Sequence, residues 1–142
     1  MPNWTRNELN VQADDPKYIK EFKDKVFTED DKGKLNFDFE KIIPMPKNIF
    51  RGNLGKEERE KYGENNWYDW SIENWGTKWN AYETQINYDG EEELEIEFET
   101  AWDTPRPIIK KLSQMFPKLR FWGGYIHECW EGAGTFEEVI NE

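Results

Sequence analysis

Hydrophobic and polar positions alternate with two different periods along this chain. Residues 4–11 place Leu9 and Val11 on one side and Arg6, Glu8 and Asn10 on the other, the two-residue period of a half-buried strand. Asp15 then offers a helix cap and Pro16 a first helical position, and Tyr18, Ile19, Phe22 and Val26 recur at helical spacing, predicting an amphipathic helix over 16–27. After the polar turn TEDDKGK, Leu35, Phe37 and Phe39 alternate with Asn36, Asp38 and Glu40 in a short strand that IPMP halts. Residues 47–66 read as a surface excursion with one charged helical turn at KEEREKY, and NWYDWSIENWG reads as a helix with aromatics on two sides, stopped by Gly76.

A hairpin follows around Asp89-Gly90, with strands over 79–88 and 94–100. Thr104 and Pro105 repeat the cap-plus-proline start, and Ile108, Ile109, Leu112, Met115 and Phe116 predict a second amphipathic helix over 105–116. A last strand spans 118–127, with Leu119 and Phe121 facing one way and Gly123-Gly124 suggesting a bulge. The tail GAGTFEEVINE fits either an edge strand or a short helix. The order is strand, helix, insertion, hairpin, helix, strand. This predicts one α+β domain over 1–142: a ferredoxin-like antiparallel sheet, two helices on one face, and a Trp-rich helical insertion at about 35–76 between the first helix and the second sheet strand. Leu9, Phe22, Ile96, Phe98, Leu112 and Phe121 are the expected core.

The hairpin register can be argued from burial. A two-residue turn would set Leu94 opposite Gln85 and Ile96 opposite Glu83, burying polar groups under the helices. The register predicted is therefore the one shifted by one, with Asp89, Gly90 and Glu91 in the loop, which pairs Ile86 with Leu94, Thr84 with Ile96 and Tyr82 with Phe98 so that the apolar faces agree. It also sets Glu83 opposite Glu97 and Gln85 opposite Glu95, where opposed like charges are destabilising.

Composition sharpens the picture. Of 142 residues, 30 are acidic and 19 basic, a net charge of −11, with a pI of about 4.7. Direct nucleic-acid binding is thereby disfavoured, because contact with phosphates needs a basic footprint. Only 36% of the residues are hydrophobic, yet 8 Trp, 6 Tyr and 9 Phe are among them, so a few large side chains must fill the interior. The single cysteine, Cys129, excludes an internal disulfide; with no signal peptide or membrane-length apolar run, a cytoplasmic protein without membrane contact is expected.

Several segments resemble the YubB ferredoxin-like family of plasmids, bacteriophages and integrated elements: MPNW at 1–4 with Asn7 and Leu9, KIIPMP at 41–46, WYDWSIENWGTKWNA at 67–81 and FETAWDTP at 98–105. Thr5 departs from the pattern, since relatives often carry Cys there. The resemblance implies the ferredoxin-like fold and an accessory gene of a mobile element, and it implies no activity.

Two constellations carry candidate chemistry. Glu83, Glu93, Glu95, Glu97 and Glu99 form an acidic sheet face. That face either keeps the sheet soluble, its charge answered by Arg6, Lys118 and Arg120 from neighbouring strands, or docks a host protein with a basic surface, or holds a hard cation such as Ca²⁺ or Mg²⁺. The second is the Trp-rich block with the AWDTP segment beside it: Trp67, Asp69, Trp70, Glu73, Asn74, Trp75, Lys78, Trp79, Trp102 and Asp103. These residues are either core, with Asp69 or Asn74 satisfying indole N–H groups, or a pocket for a planar, nucleotide-like ligand, provided that Lys78, Arg106 and Lys110 gather to offset the net charge. His127 and Cys129 on one strand would stand about 7 Å apart, too far for a hydrogen-bonded dyad. No catalytic residue, resident metal or cofactor is assigned. The expected function is a non-enzymatic accessory protein that binds a host protein through the acidic face; the alternative is a small-molecule binder or small enzyme using the Trp-rich block.

Overall fold

The computed structural model describes residues 3–128 and 132–142, so the expectation for Cys129 falls outside the described residues. Five strands, β1 (Trp4–Gln12), β4 (Tyr82–Asp89), β5 (Glu93–Ala101), β6 (Arg120–His127) and β7 (Ala133–Thr135), form one antiparallel sheet in the order β4-β5-β1-β6-β7. Helices α1 (Pro16–Val26) and α4 (Arg106–Met115) complete a ferredoxin-like α+β fold, with β7 added at one edge. Between α1 and β4 lie the β2 (Phe27–Glu29) and β3 (Leu35–Phe37) ribbon, a 3₁₀ turn at Phe39–Lys41, α2 (Lys56–Tyr62) and α3 (Trp67–Asn74). The tail supplies both of its expected forms, β7 followed by α5 (Phe136–Ile140), which Thr135 caps through Glu138 N–H.

Local chemistry explains the helix starts. Asp15 accepts from Lys17 N–H with Pro16 in the first turn, as the sequence predicts, while Thr104 does not cap α4. Its hydroxyl instead donates to Asn7 Oδ1 at 2.7 Å inside a buried network, and its N–H is taken by Asp103. The helix begins one residue later, with Pro105 at the cap position, and the Thr104 hydroxyl is turned into the buried network rather than toward the first turn.

The core lies on one side of the sheet. Leu9, Val11, Leu94, Ile96 and Phe98 point toward Ile19, Phe22 and Val26 of α1 and Ile108, Ile109 and Leu112 of α4. The insertion packs on that same side, where Phe37 and Phe39 meet Phe98 at ring separations of 4.9 and 6.2 Å. Of the six expected core residues five are buried, and Phe121 is half-buried, its ring 5.8 Å from Phe22.

Two expectations are corrected. The hairpin takes neither register considered: Tyr82 faces Glu99, Gln85 faces Glu97, Ile86 faces Ile96 and Asp89 faces Leu94, with irregularities between Tyr82 and Gln85 and between Ile86 and Tyr88. The first holds Glu83 at φ +53°, so Glu83 does not oppose Glu97. It also lets buried Thr84 turn inward to accept Phe37 N–H at 3.1 Å, stitching the insertion to the sheet. Ile86 still meets an apolar partner, Ile96, but by bulging rather than by a uniform shift, and Leu94 is left opposite Asp89. Gly123-Gly124 is no bulge either, because β6 stays in continuous register with β1. Gly123 has φ +127°, and a side chain there would collide with the Glu8 carbonyl oxygen; close approach of backbones is what requires glycine.

Candidate functional site

On β5, Leu94, Ile96, Phe98 and Thr100 point into the core, so Glu93, Glu95, Glu97 and Glu99 necessarily point to the opposite, outer face. β1 lies beside β5 and brings its own outward residues into line: Arg6 faces Glu99, Glu8 faces Glu97, Asn10 faces Glu95 and Gln12 faces Glu93. On the far side of β1, Arg120, Trp122, Gly124 and Ile126 continue these rows. On the far side of β5, Tyr82, Gln85 and Tyr88 do the same. The outer face therefore carries a central acidic strip of Glu8, Glu93, Glu95, Glu97 and Glu99, flanked by Tyr88 and Trp122, which are 51% and 38% exposed.

Among the described residues, none of these glutamates forms an ion pair. Arg120, expected to neutralise the face, instead bonds Gln12 and Asp14 at the sheet end, at 3.3 and 3.0 Å. Glu8 stands directly opposite Glu97, the like-charge pair that the sequence reading assigned to Glu83. Glu83 remains exposed in its bulge. Glu8 was missed as a site residue although its outward position was legible; the ferredoxin-like strand order, which puts β1 against β5, is the signal that finds it.

The Trp-rich block divides. Trp75 is buried in the core and Trp70 packs edge-on against it at 5.2 Å. The indole N–H of Trp75 donates to the Ile43 carbonyl and that of Trp67 to the Gly52 carbonyl, so backbone oxygens do the work expected of Asp69 or Asn74. Those two side chains serve α3 itself: Asp69 accepts from Asn66 Nδ2 at the helix start, and Asn74 donates to the Trp70 carbonyl. Glu73 is exposed. Trp79 and Trp102 come together elsewhere, around the Lys78 ammonium, with Tyr68, which the sequence did not single out, as a third ring. Tyr68 meets Trp102 edge-on at 5.8 Å, and Trp79 continues through Trp4 to Tyr82 at the sheet edge.

At the same end of the sheet a cleft of about 440 Å³ opens between Trp4, Trp102, Asp103, Arg106, His127 and Glu128. His127 Nδ1 shares a 2.8 Å hydrogen bond with the buried Thr5 hydroxyl, and its Nε2 lies 3.7 Å from Asp103 Oδ1. Burial opposes the charge on Arg106, but hydrogen bonding to Tyr125 and the nearby Asp103 and Glu142 outweigh it and raise its pKa above the ordinary arginine value. Arg106 and Lys110 both engage Glu142, at 3.2 and 3.0 Å, and Lys78 sits apart among its rings, so the three cations do not assemble a phosphate cradle.

Residues 74–138, under half of the chain, match a family described as the ferredoxin-like domain in Api92-like protein. The match runs from the end of α3 through β4, β5, α4, β6 and β7 into α5, and supports a ferredoxin-like family without carrying the YubB name. No curated protein and no solved structure matches the chain. No helix among the described residues is long and apolar enough to cross a membrane.

Proposed function

We propose that this chain is a non-enzymatic accessory protein of a phage or other mobile element, of the YubB kind, which works in the cytoplasm of its bacterial host by binding a host protein through the outer face of its sheet. The observation that carries the reading is the outward strip of Glu8, Glu93, Glu95, Glu97 and Glu99, exposed or half-buried and without an ion pair among the described residues. Opposed carboxylates such as Glu8 and Glu97 cost stability in the free protein, and a basic partner surface relieves that cost on docking. Tyr88 and Trp122 at the flanks are of the residue types that anchor interfaces, and the net charge of −11 steers a basic partner inward over distances set by the Debye length. Direct nucleic-acid binding is not part of the reading, for the same reason of charge.

The test is capture from bacterial extract on the immobilised protein at low salt, followed by elution in a salt gradient and mass spectrometry. A discrete basic protein that elutes with rising salt is expected. Partners that stay bound at high salt would place the contact on the apolar or aromatic surfaces and refute the acidic-face reading.

The cleft between Trp4 and Trp102 favours a second reading, a small-molecule binder. Native mass spectrometry of the purified protein tests it: a stoichiometric extra mass lost in Trp102→Ala supports that reading, and a bare mass opposes it.

A further inference from the structure

The Lys78 ammonium lies 4.5 Å from the ring centre of Trp79, 5.1 Å from that of Trp102 and 6.0 Å from that of Tyr68. Trp79 is its chain neighbour, but Tyr68 comes from α3 and Trp102 from the β5–α4 connection, so the fold brings the three rings together around Lys78, while the Arg59 guanidinium also stands over the Tyr68 ring at 5.8 Å. Two of them, Tyr68 and Trp102, stand nearly perpendicular, at 74°. Among the described residues Lys78 has no carboxylate partner; its positive charge is met by aromatic faces.

The wall of this cage is held in place at a cost. Trp102 has φ +76°, a conformation disfavoured for a bulky side chain, and it persists because the surrounding backbone is pinned. Trp102 N–H donates to the Asn3 carbonyl, the buried Thr100 hydroxyl donates to the Asp103 carbonyl, and Asn7 joins Thr100 and Thr104 beneath. The result is an indole presented outward, 41% exposed, beside Trp79 at 38%. Strain that exposes a large apolar ring next to two others needs a reason, and the electron-rich faces of such a group bind cations.

We propose that Tyr68, Trp79 and Trp102 form an aromatic cage for a methylated ammonium group, with Lys78 as its built-in occupant and competitor. A primary ammonium is strongly hydrated and grips the rings weakly, whereas a trimethylammonium group sheds water easily and fills the same volume, so the external cation displaces the tethered one. The chain's net charge favours cations over anions at such a site. The cage uses none of the sheet-face glutamates and stands or falls independently of the docking proposed above.

The experiment titrates choline into the wild type and Lys78→Ala, reading tryptophan fluorescence, with 3,3-dimethylbutan-1-ol as the neutral isostere of choline. Removing the tethered competitor is expected to tighten choline binding by about tenfold or more, with the isostere binding far more weakly and Lys78→Ala/Trp102→Ala losing the response. A peptide bearing trimethyl-lysine forms the second arm, and the tighter of the two ligands identifies whether the natural group is a free small molecule or a modified side chain. Equal binding of choline and its isostere, or equal affinity in wild type and Lys78→Ala, would overturn the proposal. NMR of the unmodified protein gives a check that needs no variant. The Lys78 ε-methylene protons must be shifted upfield by the rings and return toward ordinary values as choline is added; unshifted protons in the free protein would equally rule the cage out.

Discussion

Trp75 and Trp102 lie 27 positions apart in the same aromatic-rich half of the chain and have opposite fates, one buried with its indole N–H on the Ile43 carbonyl, the other 41% exposed. Trp75→Ala should lower stability by about 3–5 kcal/mol, because a cavity replaces a ring that touches both Phe39 and Trp70. Trp102→Ala should leave the thermal midpoint nearly unchanged; a melt of each variant checks both. Gly123→Ala should destabilise by more than about 1 kcal/mol, since both φ and the Glu8 carbonyl oppose a side chain there. A chemical-denaturation midpoint equal to wild type would contradict that account. Residue roles of this kind were only half legible. The block WYDWSIENWG announces aromatics on two sides of a helix, but Trp75 meets the core through the ring of Phe39 and the Ile43 carbonyl, more than thirty positions earlier in the chain, and no local spacing encodes that.

At the scale of elements, the start of α1 and the existence of β1, β4, β5 and β6 follow from period and cap chemistry, whereas β7, in a tail that fits strand or helix equally, and the β4–β5 register do not. The bulge at Glu83 exists so that Thr84 can reach Phe37 N–H, and β3 is a partner that hairpin reasoning leaves out. The like-charge pair was anticipated, but on the wrong strand, since Glu8 and not Glu83 opposes Glu97. Glu97→Gln should therefore hold or raise stability, by up to about 1 kcal/mol, measured by denaturant unfolding. The β2–β3 turn makes a separate, pH-dependent prediction. Asp30 accepts from Lys34 and Lys32 N–H at 2.9 Å each, and these bonds hold its pKa below the ordinary 3.8. A depressed folded pKa means stabilisation that is present above the unfolded value and is lost as pH falls through the folded one. Asp30→Asn should abolish that part of the acid sensitivity, so its thermal midpoint should fall less than that of wild type between neutral pH and pH values below 3.8.

For the whole molecule, the ferredoxin-like order was readable because each helix and strand carries its own period and the chain order admits few sheets. The same order turns scattered glutamates into one field: β1 and β5 are neighbours only in the folded sheet, and the core of the described residues lies on the other side. The central claim is that this field binds a partner at the expense of the free protein's own stability. The most direct test compares wild type, Glu95→Gln/Glu97→Gln, and a control with the same charge change on α2, Glu57→Gln/Glu60→Gln, in thermal melts and in low-salt capture of the same basic protein. The account predicts that the sheet-face variant melts at or above the wild-type temperature yet loses the captured protein, while the α2 control keeps it. A folded sheet-face variant that captures the protein as well as wild type does would contradict the account.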